Sequence, residues 1–164
     1  TLTIGSFSKT FSITGWRIGY LAGPPEVVEM VGRVFDQIDI CAPRPMQLGV
    51  ARALDELPES FYTEMQSAYQ EKRDRFCTAL VEAGFRFATP QGAYYVLADY
   101  SEVLGDLEPY EAVLSLIERV GINAVPGHLF FAEPEGVRNM RFQFAVTMDV
   151  VDDACRRLRG MASA

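Results

Sequence analysis

Lysine is the rarest charged residue type in this chain. Thirteen of the 15 basic residues are arginine, and only Lys9 and Lys72 are lysine. Lys72 lies among charges in the stretch YQEKRDRF, where a lysine is ordinarily a solvated surface group. Lys9 has no acidic neighbour nearby and sits between Phe7 and Phe11. The position of Lys9 therefore needs a chemical explanation.

Long apolar runs and an excess of positive charge are also missing. No apolar stretch approaches the roughly 20 residues that span a bilayer. The net charge of -7 and a pI near 4.7 argue against nucleic acid or an anionic membrane surface as the main partner. We therefore expect neither a nucleic acid nor a membrane among the partners.

Cysteine is scarce and follows no known pattern. Cys41, Cys77 and Cys155 are odd in number, far apart and without the spacing of a metal site. We expect three reduced thiols, no metal site and a cytoplasmic protein.

The first part of the chain predicts two strands followed by two helices. TLTIGSF has the alternating, β-branched pattern of a strand, and GWRIGYLAG predicts a second strand. Pro25 suits the first turn of a helix through EVVEMVGRVFDQI, and MQLGVARALDEL predicts a shorter helix. Because the chain opens directly in a strand pattern, without Met, cap or turn before it, we expect it to be part of a larger protein.

The rest of the chain predicts one long helix and then a compact unit. Residues 58–84 have the longest helical pattern, which at 1.5 Å per residue would extend about 40 Å. That length suits a connector between two lobes, although a core helix is equally compatible with the pattern. After Gly84, helical patterns alternate with four predicted strands, FRFATP, GAYYVLADY, GINAVPG and VRNMRFQFAV. Residues 85–164 therefore predict a small α/β unit.

The residues around Lys9 suit an anionic ligand that carries a reactive carbonyl. Arg17 follows Lys9 by eight residues, across a Gly15 that permits a sharp turn. An amine attacks a carbonyl only when the amine is neutral. Apolar surroundings or a nearby positive charge favour the neutral amine. An aldehyde with a phosphate group fits this set; the alternative is a strand–turn–strand segment whose lysine simply reaches water. Five hydroxyl side chains lie near the pair: Ser6, Ser8, Thr10, Ser12 and Thr14.

The stretch SFSKTFSITGWRIG resembles the cofactor-lysine signature of class I/II aminotransferases, fold-type I enzymes that use pyridoxal 5'-phosphate (PLP). The lysine-to-arginine spacing matches, and further segments resemble the family in the same order: CAPRPMQLG, TPQGAYYVLADYS, VPGHLFF and MRFQFAV. The resemblance covers essentially all 164 residues. The family's proteins are much longer than this chain, so the resemblance implies that the chain is the C-terminal portion of such a protein.

The resemblance implies an α/β fold class, namely the C-terminal part of a fold-type I PLP-dependent transferase. Residues 1–57 would be the C-terminal part of the large PLP-binding domain, with the end of its sheet. Residues 58–84 would be the long connecting helix, and residues 85–164 the small C-terminal α/β domain.

The resemblance also implies roles for four residues near the start of the chain. Lys9 would bond to the cofactor aldehyde and later move the proton of the substrate Cα, which makes it the catalytic residue. Arg17 and Ser6 would bind the cofactor phosphate, since a guanidinium and a hydroxyl together hold a dianion better than either does alone. Ser8 is expected to contribute to the same cofactor site.

Arg141 resembles the arginine that binds the substrate α-carboxylate. A guanidinium offers two parallel hydrogen bonds to a carboxylate, which orients the substrate. Arg138 lies three residues upstream, on the opposite face of a regular strand, and the following FQFA favours Arg141. The alternative reading of Arg141 is a surface arginine on an edge strand.

The implied function is an aminotransferase that moves an amino group between an α-amino acid and a 2-oxo acid. In the family, an aspartate that pairs with the pyridine nitrogen lies upstream of the lysine, so the resemblance implies that this fragment alone is inactive. It also implies that the full-length protein is active as a homodimer. Two alternatives stay open. One is a PLP-dependent β-lyase or synthase on the same fold, and the other is an aminotransferase-like ligand-sensing module of a transcription regulator.

Several aromatic and polar residues carry weaker predictions. His128, the only histidine, departs from the family's loop, and we interpret it as loop structure or a substrate contact rather than a proton carrier. Tyr94 and Tyr95 are interpreted as strand packing. Together with the loop HLFF they would accept bulky apolar substrate side chains, although the same aromatics could be core.

Overall fold

The structure, a computed structural model, describes residues 1–161. The chain divides into two compact units, Thr1–Phe61 and Tyr62–Ala164. The first unit carries the segment around Lys9, and the second carries Arg141.

Two short antiparallel strands open the first unit. β1 (Thr3–Ser6) pairs with β2 (Gly19–Ala22), and Ser6 lies opposite Gly19. An ideal Cβ at Gly19 would lie 2.7 Å from the carbonyl oxygen of Gly5, so a side chain there would force the strands apart. The connection between the strands contains a 3-10 turn at Thr14–Trp16. The first predicted strand is confirmed, and the second is confirmed only from Gly19, because Gly15 and Trp16 of the predicted GWRIGYLAG lie in the 3-10 turn.

Two helices complete the first unit. α1 (Pro25–Ile38) begins at the predicted proline, which needs no hydrogen-bond partner in the first turn. α2 (Arg44–Glu56) begins two residues before the predicted start at Met46. The helix accommodates Pro45 because first-turn N–H groups have no intrahelical acceptor.

The first unit buries little of its apolar surface. Its buried residues are Ser8, Ile18 and Val50, whereas Met30 and Ile38 on α1 are exposed. A two-stranded sheet with so little buried apolar area is marginally stable in isolation.

The second unit is built around a three-stranded antiparallel sheet. Its strands are β3 (Tyr95–Asp99), β4 (Val125–Pro126) and β5 (Asn139–Gln143), in the order β3-β5-β4. Four helices accompany them: α3 (Glu59–Glu82), α4 (Ser101–Leu104), α5 (Pro109–Val120) and α6 (Met148–Met161). β5 is therefore the central strand, with a neighbour on each side.

One face of this sheet forms the core of the second unit. Successive strand residues alternate between faces, and Val96, Ala98, Met140 and Phe142 all lie on the buried face. Fully burying one of the larger side chains of this set, such as Met140 or Phe142, contributes roughly 1.5–3 kcal/mol. Helix residues complete the cluster, among them Phe76, Leu80, Leu116 and Leu158.

Two predictions about the second unit need correction. FRFATP is not a strand: Arg86 forms a single bridge with Asp99, and Pro90 lacks the N–H that a longer ladder would need. The sequence of the long helix also predicts one apolar stripe, formed by Phe61, Met65, Ala68, Tyr69, Phe76 and Leu80. Of these residues only Phe76 and Leu80 are buried, and Ala68 is exposed.

Candidate functional site

Thr14 contacts both basic residues of the first unit's connecting segment. The Lys9 amine donates a hydrogen bond to Thr14 Oγ1 at 3.5 Å, and the Arg17 guanidinium donates to the Thr14 carbonyl oxygen at 3.0 Å. The Thr14 hydroxyl in turn donates to the carbonyl oxygen of Ser8 at 3.4 Å. The structure therefore brings Lys9, Ser8 and Arg17 together around Thr14, which the sequence had marked only as one nearby hydroxyl among five.

Ser6 and Ser8 form a hydroxyl pair at the end of β1. Ser6 Oγ donates to Ser8 Oγ at 2.9 Å and accepts from the Ser8 backbone N–H at 3.2 Å. Ser8 is 8% exposed, and within residues 1–161 it is the one buried polar side chain. A buried hydroxyl needs hydrogen-bond partners, and this pair supplies them.

Arg17 adopts a backbone conformation that non-glycine residues usually avoid. Its φ is 57° and its ψ is 43°, in the left-handed region, and Ser12 also has a positive φ of 56°. This conformation costs an ordinary residue about 1–2 kcal/mol. Backbone strain of this kind is concentrated at functional sites, where surrounding structure maintains it.

The sequence of this segment contains basic side chains and no acidic ones. Residues 1–25 contain Lys9 and Arg17 but no acidic residue; the first carboxylate is Glu26. Within the described part of the chain, Arg17 has no ion pair. Hydroxyl donors and a guanidinium without a competing carboxylate fit a phosphate dianion, and an adjacent amine fits an aldehyde. The residues present therefore fit PLP.

Arg141 lies on the central strand of the second unit, opposite Leu97 of β3 and Val125 of β4. The interpretation as an edge-strand arginine is therefore wrong. Arg141 is half-buried, and in residues 1–161 no carboxylate lies within ion-pair distance of it. Arg138, in contrast, precedes β5 and pairs with Glu108 at 3.5 Å. Of the two arginines, Arg141 is therefore the one whose guanidinium has no carboxylate partner among the described residues, as binding a carboxylate ligand requires.

Two aromatic residues that the sequence did not select as site residues contact Arg141. The guanidinium carbon lies 5.3 Å from the centre of the Tyr95 ring and 4.5 Å from that of Phe130. The alternation of strand residues places Tyr95 on the side of β3 away from the core, which was a usable signal. The contact with Phe130 depends on a turn after β4 and had no local signal.

His128 lies in that turn, a 3-10 segment at Gly127–Phe130. Its side chain is half-buried, and its Nδ1 is a buried atom without a hydrogen-bond partner in the described chain. The role of His128 stays a prediction.

The remaining chemical features of the described chain are negative. None of the helices in residues 1–161 is both long enough and apolar enough to cross a bilayer. The same residues include no group of three or more His, Cys, Asp or Glu side chains placed to hold a metal ion. Cys41, Cys77 and Cys155 are all free thiols.

Known proteins resemble this chain along nearly its whole length. The profile of the family described as "Aminotransferase class I and II" matches residues 1–158. An aspartate/prephenate aminotransferase of Cereibacter sphaeroides is 32% identical over 99% of this chain and 42% of its own length. A human kynurenine–oxoglutarate transaminase is 30% identical over 96% of this chain and 42% of its own length.

Solved structures show the same relationship. A methionine aminotransferase from Escherichia coli has a TM-score of 0.88 and 31% identity, covering 97% of this chain and 41% of that protein. The N-succinyldiaminopimelate aminotransferase of Mycobacterium tuberculosis has a TM-score of 0.85 and 33% identity, covering 98% and 42%. The predicted fold class, an α/β portion of a fold-type I transferase, is thereby confirmed.

The chain spans about two fifths of the length of these relatives. Within that span, the family profile and the structural matches agree. The chain belongs to the class I and II aminotransferase family.

Proposed function

We propose that the protein containing this chain is a PLP-dependent aminotransferase that moves an amino group between an α-amino acid and a 2-oxo acid. One observation carries the proposal. The Lys9 amine and the Arg17 guanidinium are both held by Thr14, next to the Ser6–Ser8 hydroxyl pair, in a segment without carboxylates. This set suits one ligand that combines an aldehyde with a phosphate.

PLP, when bound, supplies an aldehyde for attachment and a conjugated ring that withdraws electrons from the substrate. The amine of Lys9 holds the cofactor between turnovers. During turnover the same amine would move a proton from the substrate Cα to the C4′ carbon of the cofactor, and in the second half-reaction it would move one from C4′ to the Cα of the new amino acid. A short tether is essential to this role, because proton transfer depends on the distance and orientation of the base.

Arg17, Ser6 and Ser8 bind the phosphate in this proposal. The Arg17 guanidinium uses one N–H for the Thr14 carbonyl and retains further donors for an anion. The Ser6 hydroxyl donates to Ser8 and can rotate to donate to a phosphate oxygen instead. The left-handed backbone conformation of Arg17 costs conformational energy, and it places the side chain where it can bind the phosphate.

Arg141 binds the substrate α-carboxylate in this proposal. It is half-buried and has an open guanidinium, whereas Arg138 is already paired with Glu108. A bidentate pair between guanidinium and carboxylate fixes the substrate and excludes water from its carboxyl end. Substrates are therefore α-amino acids and their 2-oxo acid partners.

The domain organisation follows from the same proposal. Residues 1–57 belong to the large cofactor-binding domain, residues 58–84 form the connecting helix, and residues 85–164 form the small domain. We propose that the full-length protein is a cytoplasmic homodimer and that this chain alone is inactive, because further cofactor contacts come from the preceding sequence. The relatives named above are all named as aminotransferases or transaminases, which supports the proposal over its alternatives.

The decisive experiment labels the cofactor lysine in the full-length protein. PLP is added, the bound cofactor is reduced with borohydride, and the modified peptide is located by mass spectrometry. We expect one adduct, on Lys9, and none in a Lys9→Arg variant. Lys72, which lies 5.2 Å from the centre of the Tyr69 ring on α3, is the internal control and should stay unmodified. Adducts on every lysine, or on none, would contradict the proposal.

A product assay separates the transaminase from the two alternatives. With an amino acid and 2-oxoglutarate, a transaminase yields glutamate in a one-to-one ratio with the new 2-oxo acid. A lyase or synthase would consume the amino acid without this glutamate. A ligand-sensing module would label at Lys9 and turn over nothing.

A further inference from the structure

The guanidinium of Arg141 is contacted by two aromatic rings that come from opposite sides of β5. Tyr95 belongs to β3, which pairs with β5 along one edge, and Phe130 follows β4, which pairs along the other. The guanidinium carbon lies 5.3 Å and 4.5 Å from the two ring centres. Both distances are within the range of about 6 Å over which a ring face attracts a cation.

The sheet register explains the Tyr95 contact. Tyr95 lies opposite Gln143, two residues from Arg141, so the ring and the guanidinium are diagonal neighbours on one face. Diagonal neighbours on a sheet are within reach of aromatic and long side chains. Val96 follows Tyr95 in β3, and Phe142 follows Arg141 in β5. Both of these side chains point into the core, which fixes the register of the two strands.

A close backbone approach explains the Phe130 contact. An ideal Cβ at Gly127 would lie 2.5 Å from the carbonyl oxygen of Asn139, so only glycine lets this turn approach the start of β5. Phe130 ends the 3-10 segment that begins at Gly127. The turn therefore delivers the ring next to Arg141.

Both rings are substantially exposed. Phe130 is 49% exposed and Tyr95 is 39% exposed, so neither ring is filling the core of the second unit. Tyr95 also packs edge-on against Tyr94, with ring centres 5.3 Å apart, but the contact that the two rings share is the one with the guanidinium.

We propose that Tyr95 and Phe130 are positioning residues that hold the Arg141 guanidinium for the substrate carboxylate. The inference rests on the proposed function, because it assumes that Arg141 is the carboxylate-binding residue. A ring attracts the face of the guanidinium and uses none of its five N–H donors. An acidic neighbour, such as the one that pairs with Arg138, would occupy those donors and compete with the substrate. Aromatic contacts restrict the side chain while leaving its binding edge open.

The test uses the full-length protein and two measurements. The first is the NMR signal of the Arg141 Nε–H, which is assigned by its absence in Arg141→Lys. Two nearby rings should displace the chemical shift of this signal from the value usual for arginine. Titration of 3-phenylpropionate, a carboxylate that cannot react, then gives a dissociation constant without turnover. The second is the KM and kcat of the fastest substrate among L-aspartate, L-methionine and L-kynurenine.

The variants distinguish an effect of the aromatic rings on Arg141 from an effect of packing at the same two positions. In Phe130→Leu and Tyr95→Leu we expect the NMR displacement to shrink, and the dissociation constant and KM to rise about fivefold to twentyfold with kcat changed less than threefold. Such a split marks lost binding rather than lost chemistry. Phe130→Tyr and Tyr95→Phe keep the rings and should stay within twofold. Tyr110→Leu is the control, because Tyr110 is an exposed aromatic residue on α5, outside the residues assigned to the site.

Three results overturn the inference. The first is an Arg141 signal at the ordinary arginine position in the unaltered protein. The second is 3-phenylpropionate affinity that is unchanged in both leucine variants although Arg141→Lys weakens it. The third is an equal loss in the leucine and ring-retaining variants, which would indicate a packing role. Failure of the proposed function is distinguishable, since it shows as missing Lys9 labelling or missing transamination, while the NMR titration still reports on the rings.

Discussion

The hydroxyl oxygens of Ser6 and Ser8 lie 2.9 Å apart at the end of β1, one of them exposed and the other buried. β1 places Ser6 opposite Gly19, and the backbone N–H of Ser8 closes back onto the Ser6 hydroxyl at 3.2 Å. The arrangement directs two donors to the same region of the segment that carries Lys9.

Ser6→Ala and Ser8→Ala should each weaken PLP binding by roughly tenfold or more. A hydrogen bond to a charged group contributes about 1.5–3 kcal/mol, and about 1.4 kcal/mol corresponds to a factor of ten. The measurement is a PLP titration of the full-length protein. Ser67→Ala is the control, because Ser67 is an exposed residue of α3 whose hydroxyl donates to the Thr63 carbonyl. Unchanged affinity in both site variants would remove the serines from the phosphate site.

Arg17→Gly should separate stability from cofactor binding. Glycine adopts a φ of 57° without strain, so the cofactor-free protein should lose no stability and gain up to about 1 kcal/mol in free energy of unfolding. PLP affinity should nevertheless fall at least tenfold, because the guanidinium is lost.

Ser12→Gly is the matched control for this prediction. Ser12 has almost the same φ, 56°, but no charge. It should show a similar change in stability with unchanged PLP affinity. A loss of affinity in Ser12→Gly equal to that in Arg17→Gly would assign the effect to the backbone rather than to the charge.

Arg141→Lys should lower kcat/KM for the amino acid substrate about a hundredfold, whereas Arg138→Lys should stay within about threefold. Lysine keeps the charge but cannot form two parallel hydrogen bonds with a carboxylate. Arg138 already pairs with Glu108, so its substitution changes a partly exposed ion pair of small energetic value. Steady-state kinetics of the two full-length variants decide between the arginines. The opposite order of effects would identify Arg138 as the substrate-binding residue.

Leu80→Ala should destabilise the second unit by about 2–5 kcal/mol, because it leaves a cavity in the core. Leu80 is 0% exposed, whereas the adjacent Val81 is 62% exposed. Val81→Ala should therefore change the free energy of unfolding by only about 0.5 kcal/mol. Urea denaturation of both variants makes the comparison. Equal effects would mean that the core of this unit is not where the structure places it.

Alkaline pH should weaken folding through the buried thiols. Burial raises the pKa of Cys77 and of Cys155 above the ordinary thiol value. In the unfolded chain these thiols ionise near pH 8.5, so above that pH the unfolded state binds fewer protons than the folded state. The free energy of unfolding should therefore fall as the pH rises through this range.

The matched variant for the alkaline effect carries Cys77→Ala and Cys155→Ala together. Its free energy of unfolding should depend less steeply on pH between 7.5 and 9.5 than that of the unaltered protein. Tyr100 remains in both proteins, and burial raises the pKa of its phenol as well, so only the difference between the two slopes is attributed to the thiols. Identical slopes would show that the thiols do not contribute.

Local sequence patterns were sufficient for most of the secondary structure. α1 and α5 each have an amphipathic pattern with proline in the first turn, and such signals lie within the helix itself. The pattern failed at FRFATP, which looks like a strand but finds a single bridging residue in the sheet. Strand formation depends on a partner from elsewhere in the chain, which a local pattern does not contain.

The residues of the candidate site also differ in whether local sequence could identify them. Lys9, Ser6, Ser8 and Arg17 lie within twelve residues, so residue types and spacing, together with the family resemblance, were enough to group them. The contacts of Arg141 with Tyr95 and Phe130 join two strands and the turn that follows a third. Only the strand order β3-β5-β4 and the close approach of Gly127 to β5 bring them together, because pairing register and backbone distance arise when the whole sheet has formed.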